Sequence, residues 1–156
     1  MKKSLFPLCG LLLLAATAPA QQLLNNEDPF FRMAFNEEKR TLVQEFLDLS
    51  EADAAAFWPL YNDYEQERQT IGGARLTLAE SYADKYDALT EAQADGFVTE
   101  ALRLRRAHQR LLQRYYNKIK KKTSPLVATQ WLQLEEYLYT AILWELYEEI
   151  PFVGEE

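Results

Sequence analysis

The sequence predicts an all-α, elongated fold of four helices. Three observations predict it. Apolar residues recur every three or four positions along most of the chain, the spacing that puts them on one side of a helix. No stretch of strand length alternates apolar and polar residues. Only 5 Gly and 6 Pro occur among 156 residues, too few for a turn-rich β-barrel. With 48% hydrophobic and 13% aromatic residues, the chain has the material for one buried core and lacks the composition of a disordered polymer.

The first element is expected to be removed. Lys2 and Lys3 precede the apolar run Leu11 to Ala16, and Ala18-Pro19-Ala20 follows it. A charged start, a short apolar stretch and a small-residue cleavage site make residues 1–20 a secretory signal peptide. The run is shorter than the roughly 20 residues that span a bilayer. Cys9, the single cysteine, lies before the main apolar run, where a lipid-attachment cysteine would not be. Cleavage after Ala20 leaves a thiol-free chain with 15 basic and 24 acidic side chains. It is expected to be exported. No later segment has about 20 uncharged apolar residues, so no stable membrane insertion is expected.

Residues 21–28 read as a flexible leader, and residues 29–153 as the single domain. Asp28 followed by Pro29 is a helix start, a cap acceptor and then a first-position proline. Helix 1 is expected over about 29–47, with Phe31, Phe35, Leu42, Phe46 and Leu49 at helical spacing. Ser50 caps helix 2, whose apolar seam runs through Phe57, Leu60, Tyr61, Tyr64, Ile71, Leu78, Tyr82 and Tyr86. Pro59 should kink it, because the ring clashes with the carbonyl four residues back. Gly72-Gly73 weakens it by about 1 kcal/mol per residue relative to Ala. The seam keeps its phase across both glycines, so one long helix is expected.

Thr90 caps helix 3, with an apolar face that includes Phe97, Leu104, His108, Leu111, Leu112, Tyr115 and Ile119. Lys120-Lys121-Lys122 ends it, cations where the helix dipole favours them. Ser124-Pro125 starts helix 4, which runs to about Glu149 before Pro151 stops it. Helices 2 and 3 would be about 57 and 46 Å long at 1.5 Å per residue, longer than a compact domain of this size is wide. Helix 4 is apolar nearly all round from Tyr137 to Tyr147. One face can join the core, so another must meet something else, and a twofold homodimer is the simplest cover.

Charge is divided sharply along the chain. Between Ala101 and Leu134 there are nine basic residues and no acidic one. Residues 135–156 hold 7 acids and no base. Arg103, Arg106, Arg110 and Arg114 recur every three or four residues and so form one stripe of helix 3, extended by Lys118. The stripe is either a solvated face paired with acids of helices 2 or 4, or a basic surface for acidic or unfolded chains. Long cationic side chains can lie on apolar surface while their heads make charge contacts. Export and net negative charge argue against nucleic acid as a partner.

Several chemistries lack their residues. His108 is the only histidine and sits on an apolar seam, which suits a core-edge residue better than a base. No His-Glu or Glu-x-x-His pair has metal spacing, and Met33 is the only Met after cleavage. Acidic pairs such as Glu135-Glu136 read as solvated helix faces. No enzyme, metal or cofactor is expected.

The two helix starts repeat. Leu49-Ser50-Glu51-Ala52-Asp53-Ala54 is echoed by Leu89-Thr90-Glu91-Ala92-Gln93-Ala94. The pattern is a capping box, in which the hydroxyl accepts from the third helical N–H and the Asp or Gln reaches back to the cap N–H. Leu89-Thr90-x-x-Gln93 also resembles the LTxxQ signature of the Spy/CpxP family of periplasmic proteins. The first copy departs from it at Ser50 and Asp53. The segments Phe57-Trp58-Pro59-Leu60-Tyr61-Asn62-Asp63-Tyr64, Tyr82 to Thr90 and Ile150-Pro151-Phe152-Val153 resemble a proteobacterial branch, so the likeness covers about 37–153.

That resemblance implies a four-helix elongated hairpin arrangement and an antiparallel, cradle-shaped homodimer in the periplasm that holds unfolded or misfolded envelope proteins without ATP in a stress response. It also implies an alternative, a regulatory module docking on the periplasmic sensor domain of a stress-responsive kinase or a metal-responsive system. The client surface expected here combines Arg103, Arg106, Arg110, Arg114 and Lys118 with Phe30, Phe31, Tyr137 and Trp144.

Overall fold

A computed structural model describes residues 37–154. The expected signal peptide, leader, Asp28-Pro29 helix start, Phe30 and Phe31 lie outside the described residues. Within them the chain is all-helical, with four α-helices and no strand. The helices are α1 (Glu37–Phe46), α2 (Glu51–Ala83), α3 (Glu91–Lys122) and α4 (Pro125–Glu148). A short 3₁₀ turn, Tyr86–Ala88, joins α2 to α3. Helix α2 packs against α3, and α3 against α4.

The caps act where the sequence places them. The Thr90 hydroxyl accepts from the Gln93 N–H (3.3 Å), and the Gln93 side-chain oxygen accepts from the Thr90 N–H (3.0 Å). Ser50 accepts from the Asp53 N–H (3.1 Å), but Asp53 takes the Ser50 hydroxyl proton (2.8 Å) and not the cap N–H. Aspartate is one methylene shorter than glutamine, so the first copy closes only half of the box. Ser124 accepts from the Val127 N–H (3.2 Å), with Pro125 opening α4.

Helix α2 is continuous through both Pro59 and Gly72-Gly73. Pro59 is exposed, and the helix continues beyond it instead of ending. At 1.5 Å per residue, α2 and α3 are each about 50 Å long.

The core sits toward one end of these long helices. It joins Phe57, Tyr61 and Tyr64 of α2 to Leu111, Leu112, Tyr115 and Ile119 of α3, and to Ala128, Trp131, Leu134 and Leu138 of α4. Tyr64 is its hub, with its ring edge-on to Trp131 at 5.0 Å and to Tyr115 at 5.5 Å. Edge-to-face aromatic pairs at this spacing add stability beyond the area they bury.

Helix α1 corrects an expectation. Its buried stripe is Lys39 and Val43, continued by Leu47 just past its end, each four residues apart, while Leu42 and Phe46 are exposed. Lys39 can be buried because its Nζ donates to Glu65 (2.6 Å) and Glu135 (2.7 Å). Arg68 grips Glu65 through Nε (2.9 Å) and Nη2 (2.8 Å), and the Tyr64 hydroxyl donates to Glu135 (2.8 Å). Two cations and two carboxylates thus close a neutral cluster. Burial alone would raise the Glu65 pKa, but Lys39 and then Arg68 outweigh it and hold the carboxyl below its ordinary value. Burial, followed by the charges of Glu135 and Glu65, pushes the Tyr64 hydroxyl well up, so it stays a proton donor. Glu135, expected on a solvated face, is 2% exposed.

Lys39→Met strands buried carboxylates and should cost about 3–5 kcal/mol in urea unfolding. Adding Glu135→Gln, which still accepts from Tyr64, should recover part of that loss in a double-mutant cycle. At Gly73 and Gly96 an added Cβ would meet nothing within 4 Å, and both lie inside helices. Gly73→Ala and Gly96→Ala should each stabilise by about 0.5–1 kcal/mol in the same assay.

Candidate functional site

The charged stripe follows from the helical period of α3. Leu104, His108, Leu111, Leu112, Tyr115 and Ile119 are buried on one side. Arg103, Arg106, Arg110 and Arg114 are spaced three, four and four residues apart on the opposite side, and all four are exposed. Lys118, Lys120, Lys121 and Lys122 are exposed as well.

The stripe is partly neutralised within the chain. Arg103 makes a two-point pair with Glu100 (2.7 and 2.6 Å), one turn earlier. Arg114 pairs with Glu67 of α2, whose other oxygen accepts from the Tyr115 hydroxyl (2.9 Å). That hydroxyl and then Arg114 hold the Glu67 carboxyl below its usual range. Burial, followed by Glu67, pushes the Tyr115 hydroxyl up to about 12. Lys118 sits 4.2 Å above the Tyr115 ring, a cation–π contact that keeps its charge at the surface. Arg106 and Arg110 have no hydrogen-bond or ion-pair partner among the described residues. Arg110 opens onto a cleft of about 270 Å³ whose far wall is Leu132 and Glu136 of α4.

Beside this lies the outer side of α4. Leu126, Tyr137 and Trp144 are spaced eleven and seven residues apart, so they share a face, and they are 68%, 71% and 65% exposed. Trp144 also walls a cleft of about 630 Å³ with Tyr86, Tyr147 and Phe152 at the C-terminal end of α4. The structure therefore brings the expected arginines and the α4 aromatics onto outward faces of neighbouring helices. Phe30 and Phe31 lie outside the described residues. Leu49, Ser50, Asp53, Leu89, Thr90 and Gln93 are positioned as helix starts.

The sequence reading missed a second polar cluster, in the inner space between α2, α3 and α4. Arg75 and His108 are buried, and the His108 ring stacks on Tyr139 with centroids 3.8 Å apart. The Arg75 guanidinium lies 5.6 Å from the centre of the same Tyr139 ring. Burial, followed by the charges of Arg75, Arg68 and Lys39, pushes the His108 imidazole down to about 4, so it is neutral at pH 7. The signal was the placement of Arg75 one turn before Leu78 and Ala79 on the inner seam of α2.

Among the described residues no group of three or more His, Cys, Asp or Glu could hold a metal, and no helix is long and apolar enough to cross a membrane. Compared with protein-family models, with curated proteins and with solved structures, the chain matches none.

The buried imidazole gives a pH prediction. Its folded pKa lies below the ordinary 6.5, so its contribution to stability is complete above pH 6.5 and is lost as pH falls toward 4. The full loss is about 3 kcal/mol. Glu65, with a carboxyl already below 4.5, adds its own loss only at more acid pH. His108→Phe keeps a flat ring on Tyr139 and should flatten urea midpoints between pH 6.5 and 4.5 while leaving the steeper acid limb. An unchanged slope in the variant would assign the titration to another group.

Proposed function

We propose that the chain is an exported, ATP-independent holding protein for unfolded or misfolded envelope polypeptides, working as an elongated, twofold hairpin dimer in the periplasm. The observation that carries this reading is a pair of guanidiniums without a partner among the described residues, Arg106 and Arg110, on a helix whose neighbour exposes Tyr137 and Trp144. Unfolded chains offer carboxylates and apolar side chains together, without fixed geometry. A row of long, mobile cations beside exposed rings meets both kinds of group without demanding one shape. Surface ion pairs such as Arg103–Glu100 and Arg114–Glu67 are weak and can be exchanged for contacts to a client.

Further support comes from the LTxxQ-like repeat and its resemblance to the Spy/CpxP family, from the complete capping box at Thr90, and from the signal-peptide pattern. In this reading Tyr137 and Trp144 serve clients, and the exposed Leu42 and Phe46 of α1 meet the second subunit.

The test is suppression of light scattering by a chemically denatured client. The protein should suppress it at stoichiometric amounts without nucleotide. Arg106→Glu with Arg110→Glu should cut the suppression severalfold while leaving the unfolding temperature nearly unchanged, since both sites are exposed. Tyr137→Ala with Trp144→Ala should do the same. No suppression by the unsubstituted protein overturns the reading.

A further inference from the structure

At the end of the helices away from the aromatic core, α2, α3, the end of α4 and Ile150 just after it line an open pocket of about 200 Å³. Leu78, Ala79, Phe97, Val98 and Leu146 supply an apolar wall, and Arg75 supplies the one charged group in the lining. Arg75 is only 9% exposed. Its Nη2 is enclosed and has no hydrogen-bond partner, and it pairs with no carboxylate among the described residues. The Tyr139 ring offsets part of the charge, but a ring face 5.6 Å away does not satisfy that N–H.

The polar groups next to it do not satisfy it either. The Tyr139 hydroxyl and His108 Nδ1 are likewise buried without partners. Behind the lining, therefore, a buried cation lies beside unspent hydrogen-bonding capacity among the described residues. Burying an unpaired charge is costly, and an anion placed against it recovers that cost.

We propose that this pocket binds a medium-chain fatty acid, with its carboxylate on Arg75 and its chain along Leu78, Phe97 and Leu146. Charge complementarity selects a carboxylate or similar anion, and the lining selects an apolar tail. The volume lies below the roughly 300–1,000 Å³ typical of pockets for drug-sized ligands, so it suits a single short chain better than a phospholipid. A peptide C-terminus is the other source of an apolar carboxylate. It would also carry several backbone N–H and C=O groups into a mostly apolar lining, and unmatched backbone groups are expensive to bury. The proposal is independent of the holding activity, because the arginine stripe is on the opposite side of α3 from the buried face.

The experiment is calorimetric titration of the purified protein at pH 7.5 with decanoate, decanol, and a trileucine peptide as free acid and as amide. Decanoate should bind about tenfold or more tightly than decanol, the advantage of a charged hydrogen bond to a cation that has no other partner. Arg75→Met, which replaces a buried cation by an apolar chain of similar length, should bind the two equally. Ala101→Phe, which fills the lining, should lose both. If that variant fails to fold, the comparison of decanoate with decanol on the unsubstituted protein still decides. Equal binding of the acid and the alcohol overturns the proposal, as does no binding at millimolar decanoate. Tighter binding of the peptide acid than of decanoate overturns the fatty-acid assignment.

Discussion

Lys39 is the residue on which the arrangement of α1 depends. A ten-residue helix is too short to persist alone in water. Val43 and Leu47 give it apolar contact with the core, but two aliphatic side chains do not choose an orientation. The ammonium group does, because it must reach Glu65 on α2 and Glu135 on α4 at once. Arg68 and the Tyr64 hydroxyl complete the cluster from α2. A buried ion network contributes little net stability compared with a well-packed apolar replacement. Its effect is geometric: with no net charge to solvate and few alternative pairings, α1 has one place to sit.

The same cluster lies beside the aromatic hub, and together they concentrate order at one end of two very long helices. Phe57 to Tyr64, Leu111 to Ile119 and Ala128 to Leu138 meet there. Toward the α2–α3 turn the packing changes in kind. Ala79 and Leu146 are buried, Tyr82 and Phe97 meet edge to face at 5.5 Å, and Arg75 is enclosed without a carboxylate. One end is a core, and the other is a lined recess. The outer face of α3 runs past both, so its cations are supported by a rigid helix without being drawn into the packing.

Local features were legible in the sequence because their causes are local. Thr90 and Gln93 close a box across three residues, and the seam of α2 keeps its phase through Gly72-Gly73 whatever surrounds it. The buried charges were not legible for the opposite reason. Lys39 and Glu135 are 96 residues apart, and each alone reads as a solvated side chain. Counting apolar residues picked Leu42 and Phe46 for the inner side of α1, whereas partners brought in from α2 and α4 made Lys39 the better fit. The arginine stripe was legible as a row. Glu100, three residues before Arg103, lies on the same helical wheel, whereas the Glu67 that holds Arg114 comes from α2 and does not.

The Tyr82 hydroxyl donates to the Pro151 carbonyl (2.9 Å), which fastens the segment after α4 onto α2. Ile150 borders both the Arg75 recess and the Trp144 cleft. The tail is therefore a shared wall between two hollows, and anything that tugs on it is felt in both. A change of side chain at Ile150 therefore reshapes the lining of both hollows at once.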